Sequence, residues 1–136
     1  MSRLISGLEA YNNHIQDLSI NTGQGNPGAI GIDYMATNDD IINNVTIRSD
    51  DGLGKIGLGF IRRNPGPCLI KNVTISGFDY GIESNQTWTG SMTFEHINLQ
   101  NQKVAGILNG GSPLAIQGVT KTLDIIGQPL TTCFST

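Results

Sequence analysis

Charged residues make up only 14% of this chain and aromatic residues 6%. Glycine and asparagine are abundant instead, a mix that suits many tight turns and little helix. Basic residues are outnumbered, eight Lys and Arg against eleven Asp and Glu, for a net charge of −3. The basic face expected of a nucleic-acid binder is missing. No apolar run approaches the roughly 20 residues of a membrane-spanning helix, so neither nucleic acid nor membrane is an expected partner. With two cysteines, Cys68 and Cys133, there is no disulfide framework. Two free thiols are favoured over a bond, because nothing in the sequence brings them within bonding reach. No Cys/His spacing fits a zinc site. His14 and His96 fall in or beside strand-like segments, and no metal or cofactor is expected. The opening Met1-Ser2-Arg3-Leu4-Ile5-Ser6 lacks the apolar core of a secretory signal. Origin as a piece of a longer secreted protein stays open, and so does the compartment.

What is present is a repeat. Ile70 to Glu83 holds two short alternating segments, Val73-Thr74-Ile75 and Tyr80-Gly81-Ile82-Glu83, joined by a turn at Gly77. Apolar–polar alternation is the period of a strand with one buried face. The first segment recurs as Asp17-Leu18-Ser19-Ile20, Asn44-Val45-Thr46-Ile47, Asn72-Val73-Thr74-Ile75 and His96-Ile97-Asn98-Leu99. The second recurs as Gly31-Ile32-Asp33, Gly57-Leu58-Gly59, Gly81-Ile82-Glu83 and Gly106-Ile107-Leu108. A period of about 25 residues means stacked repeats. Leucine is too sparse for a leucine-rich repeat. The pattern predicts an all-β fold, a right-handed parallel β-helix of about five coils with about three short strands each. Coils stack about 4.8 Å apart, so equivalent residues form ladders. Leu18/Val45/Val73/Ile97 and Ile20/Ile47/Ile75/Leu99 are the expected core, each side chain contributing about 1.5–3 kcal/mol when buried.

The whole of 1–136 reads as one domain. Residues 1–12 form a partial coil or a cap, 13–118 the coils, and 119–136 a terminal strand and tail. Asn21 to Gly28 and Asp50 to Gly54 are turn chemistry and should stand off the helix as loops. Asp39-Asp40 and Asp50-Asp51 read as turn and loop residues rather than a calcium cage. Asp17, Asn44, Asn72 and His96 share one column, and its amides suit a structural hydrogen-bonded ladder. Gly31, Gly57, Gly81 and Gly106 share another. Either they face outward and leave a smooth strip for a ligand, or each relieves a strongly bent strand.

The run Ile70-Lys71-Asn72-Val73-Thr74-Ile75-Ser76-Gly77-Phe78-Asp79-Tyr80-Gly81-Ile82 resembles the pectate-lyase-like β-helix superfamily. Asn26 to Ile32 and Phe94 to Asn101 resemble its branch of exo-β-1,3-glucanases and related polysaccharide-degrading proteins. The resemblance spans about Tyr11 to Gly118 and implies a substrate groove across stacked strands. The chain departs from the family in being short. It also lacks the polygalacturonase motifs, with Asp79 alone in a comparable place, so that chemistry is not expected.

The outward position after each ladder residue of the second series reads Asp33, Gly59, Glu83, Leu108. Asp33 and Glu83, two coils apart, are the candidate catalytic carboxylates, since an inverting glycosidase separates its pair by about 6.5–9.5 Å. Gly59 between them leaves room for a sugar. Arg62, Arg63, Asp79 and Trp88 are the candidate substrate-binding residues, Trp88 by stacking and the arginines by holding hydroxyls or a carboxylate. The expected role is binding or hydrolysis of a glucan or pectin-like polysaccharide on an outer groove. The alternative is a structural module without a ligand, self-associating through its open solenoid ends.

Overall fold

A computed structural model of the chain describes residues 12–35, 39–62, 66–84, 91–111, 114–121 and 125–127. They form the parallel β-helix that the repeat predicts. β1 (His14–Asn21), β3 (Asp40–Arg48), β5 (Cys68–Ser76), β7 (Met92–Gln100) and β9 (Leu114–Lys121) make one sheet in that order. β2 (Ile30–Asp33), β4 (Gly54–Phe60), β6 (Phe78–Ser84), β8 (Ala105–Asn109) and β10 (Ile125–Gly127) make the other. Every neighbouring pair is parallel, with Leu18, Val45, Val73, Ile97 and Val119 in one register and Ile32, Leu58, Ile82 and Ile107 in another.

Among the described residues each coil has two strands rather than three, and the reason is a single bent position. Asp17, Asn44, Asn72, His96 and Gly118 all adopt left-handed backbone, with φ between 52° and 63°. Asn, Asp and Gly tolerate this region best. Ile42 and Val45 are buried while Asn43 and Asn44 between them are not. Two consecutive outward residues turn the strand convexly around the lumen. Each long strand is therefore two arms meeting at a corner, which recovers three sides per coil from two strands. The corner is also laced along the axis, as Asn44 Nδ2 donates to Asp17 Oδ1 at 2.6 Å and Asn72 Nδ2 to Asn43 Oδ1 at 3.1 Å.

Val45, Val73, Ile97, Ile47, Ile75 and Leu99 are buried as expected. Leu18 is 45% exposed instead; among the described residues only β3 stacks against its strand. A third inward column, Ile15/Ile42/Ile70/Phe94/Ile116, runs on the other arm of the same strands. Rings knit the lumen across the sheets: Phe60 meets Tyr34 and Phe94 edge-on, at centroid distances of 5.8 and 5.9 Å.

One acid enters this apolar interior. Asp40 is not a turn residue: it opens β3 in register with Cys68, Met92 and Leu114, and is only 1% exposed. Its Oδ1 accepts the Asn13 amide at 2.7 Å, Tyr34 Oη donates to the Asn13 carbonyl at 2.8 Å, and Asp40 Oδ2 has no partner among the described residues. Burial raises the Asp40 pKa, against the smaller opposing pulls of the Asn13 amide and His14. Burial also pushes the free Cys68 thiol, which donates to the Leu69 carbonyl, up to about 12, so it stays protonated. Cys133 lies outside the described residues.

The sign follows from linkage. A carboxyl whose pKa is higher folded than unfolded gives stability that is present below the unfolded value. That stability is lost as pH rises from about 4 through the folded value. Asp40→Asn keeps an acceptor for the Asn13 amide and removes the charge. It should raise the melting temperature at pH 7 and flatten its decline between pH 4 and 7, as read by circular dichroism. A variant less stable than wild type at pH 7 would show that the ionised form is the favoured one.

Candidate functional site

The glycine column decides where the outer surface can receive anything. A Cβ at Gly57 would fall 2.2 Å from Ile75 Cγ2 and 2.7 Å from the Gly81 carbonyl oxygen. At Gly31 the corresponding contacts are Ile47 Cγ2 at 2.3 Å and the Gly57 carbonyl at 2.6 Å. At Gly81 they are the Gly106 carbonyl at 2.7 Å and Leu99 Cδ2 at 2.9 Å. These glycines face the lumen, against the aliphatic ladder of the first sheet, so there is no outward glycine strip.

Their neighbours Ile32, Leu58, Ile82 and Ile107 also belong to the lumen. Two consecutive inward residues bend a strand the opposite way from the asparagine corner. The outer face is therefore concave here, a shallow trough along the axis in which Ile56, Gly59 and Ala105 are buried while Asp33, Tyr80 and Glu83 reach the surface. One wall is the column Ile30, Ile56, Tyr80 and Ala105; the other is Asp33, Gly59, Glu83 and Leu108. Ile56 is 5% exposed yet stands apart from the lumenal cluster. A Cβ at Gly59 would meet the Cγ2 methyls of Ile56 and Ile30 at 3.7 and 3.8 Å across the bend.

The expected residues fall into place unevenly. Asp33 and Glu83 do share one outward column with Gly59 between them, about 9–10 Å apart at the backbone by strand spacing. Arg62 is not free for a ligand: its Nε donates to Asp33 Oδ2 at 2.7 Å, joining coil two to coil one. Asp79 lies on the shoulder beyond Tyr80, 3.6 Å from Lys55 Nζ, which sits 5.5 Å from the Tyr80 ring centroid. Glu83 makes no hydrogen bond or ion pair among the described residues. Arg63 and Trp88 lie outside them.

The apolar wall escaped the sequence reading. Its signal was an apolar residue immediately before the glycine in three successive repeats, Ile30, Ile56 and Tyr80. Strict alternation hides it, since the bend puts neighbours on the same side.

Other acids serve the fold. Asp51 Oδ2 accepts the Gly25 amide at 2.6 Å, and its Oδ1 takes the Leu53 amide and the Ser49 hydroxyl. These bonds, the Gly25 amide foremost, lower its pKa. Asp50 Oδ2 accepts from Asn21 Nδ2 at 2.8 Å, so the two expected loops are tied to each other. A separate open cleft of about 490 Å³ lies where the chain re-enters the first sheet, lined by Asp39, Ile41, Pro67, Leu69, Ser91 and Thr93. Asp40 and Cys68, both buried, border it. The trough, where an unengaged carboxylate, a paired one and an aromatic ring converge, is the better candidate. The chain matches no family model, no curated protein and no solved structure, so the reading of this trough rests on its own geometry.

Proposed function

We propose that the trough binds an extended carbohydrate chain laid along the β-helix axis. The observation that carries this reading is the Glu83 carboxylate, unengaged among the described residues, on the same column as the Arg62-anchored Asp33 and across from Tyr80 of the apolar wall. Carbohydrates present apolar ring faces to aromatic and aliphatic surfaces and hydroxyls to carboxylates. The cations placed here, Arg62 and Lys55, are each held by an acid, which favours an uncharged glycan over a pectin-like polyuronate. Two carboxylates on one column two rungs apart are the arrangement from which inversion at an anomeric carbon could be built, with Glu83 the carboxylate available to act.

A glycan array followed by titration calorimetry tests the binding. Wild type should bind neutral β-glucans, with Glu83→Gln and Tyr80→Ala each weakening affinity about tenfold, the equivalent of about 1.4 kcal/mol. Reducing-sugar release in wild type but not in Glu83→Gln would make the protein a hydrolase. The half-exposed Leu18 on the first rung favours a second reading, a module that assembles end to end. Absence of glycan binding, together with concentration-dependent association in sedimentation, would replace the first reading with that one.

A further inference from the structure

The outer face of the first sheet is polar on most of its columns and apolar on one. Asn43, Lys71, Glu95 and Gln117 form one outward column, and Ser19, Thr46, Thr74 and Asn98 another. Two residues before the first of these stand Ile41, Leu69 and Thr93, in register on three successive rungs. Each is half-buried between two buried residues of its own strand, Asp40 and Ile42, Cys68 and Ile70, or Met92 and Phe94. None of the three belongs to the lumenal cluster, so their side chains serve the outside. They line the open cleft of about 490 Å³ where the chain re-enters this sheet. Small-molecule sites occupy about 300–1,000 Å³, apolar over most of their lining with a few polar groups that fix orientation.

The charge at this cleft has one sign. Asp39 and Asp40 line it, and among the described residues no Lys, Arg or His does. Asp39 is exposed, and neither carboxyl forms an ion pair among the described residues. His14 reaches only the Asp39 backbone, its Nε2 lying 3.2 Å from the carbonyl oxygen. Lys71, two residues along β5 from Leu69, is held by Glu95 at 3.7 Å. A cleft lined by one sign of charge with low-dielectric walls concentrates counter-ions. We propose that this cleft binds a small organic cation, its ammonium head at the Asp39 carboxylate and its apolar body against Ile41, Leu69 and the Thr93 methyl. This second site lies on the other sheet from the trough and does not depend on the carbohydrate reading.

The test is an NMR titration of isotope-labelled protein with phenethylammonium and hexylammonium ions, and with phenethyl alcohol and hexanol as their uncharged counterparts. At millimolar concentration the ammonium ions should shift the amides of Ile41, Leu69 and Thr93 and leave those of Tyr80 and Glu83 in place. The alcohols should bind wild type about fivefold more weakly, and the ammonium ions should lose as much on Asp39→Asn, the scale of one exposed ion pair. Asn tolerates the left-handed backbone that Asp39 holds, φ 60°, so this variant should melt with wild type. Leu69→Thr keeps a strand-forming residue and removes part of the apolar wall, which should weaken the ammonium ions about threefold. No shift at Ile41, Leu69 or Thr93 from either ammonium ion overturns the site. Alcohols that bind wild type within fivefold of the ammonium ions overturn its choice of a cation, whatever the variants do. Undiminished binding in a folded Asp39→Asn or Leu69→Thr overturns the placing of head or body.

Discussion

Ile75→Asp should abolish cooperative folding, whereas Thr74→Asp, one residue away, should change stability by less than about 1 kcal/mol. Ile75 is fully buried, stacked between Ile47 and Leu99 in the lumen. An aspartate there would forfeit about 2 kcal/mol or more of apolar burial and place a charge among the aliphatic side chains of the lumen. Together these costs rival the whole folding free energy of a domain, about 5–15 kcal/mol. Thr74 belongs to the outward column with Thr46 and Asn98 and is only partly buried, so its replacement stays in contact with water. Urea unfolding followed by circular dichroism separates the two. Equal behaviour would mean that the inward and outward faces of β5 are misassigned.

Gly57→Ala is the second large effect, out of proportion to the one carbon added. Its Cβ would overlap Ile75 Cγ2 at 2.2 Å and the Gly81 carbonyl oxygen at 2.7 Å. The isoleucine could turn to another rotamer only into a filled lumen, and the carbonyl cannot move without breaking the register of β6. Overpacking of this kind costs about 3 kcal/mol, or roughly 10 °C in melting temperature for a domain of this size. A Gly57→Ala protein that melts with wild type would show that the strand does not bend inward there, and the concave trough would lose its cause.

The repeat was legible because a parallel register forces equivalent residues to recur once per coil. Val45, Val73 and Ile97 could be stacked from spacing alone, and so could Asp33, Gly59 and Glu83. The direction of the glycine column was not legible in the same way. Alternation assigns faces only while a strand stays straight, and β2, β4 and β6 reverse their curvature at Gly31, Gly57 and Gly81. The same assumption overlooked Ile56 and Tyr80 as an outer wall. Asp40 misled for another reason, since two adjacent aspartates are ordinary turn chemistry. Only the pairing of Asp40 with Cys68 shows that β3 has already begun. The bond between Arg62 and Asp33 joins side chains 29 residues apart, and which of two neighbouring arginines makes it depends on how the chain leaves β4.

The asparagine corner also governs how this surface can change. An acid stands there at 17, amides at 44 and 72, an imidazole at 96 and nothing at 118, all on nearly the same backbone angle. Because the hinge is set by main-chain torsion and not by any one side chain, that vertex can be repainted chemically, coil by coil, while the interior stays undisturbed. The molecule thus carries one edge whose character is open to selection and another, the glycine crease, where a single methyl is forbidden.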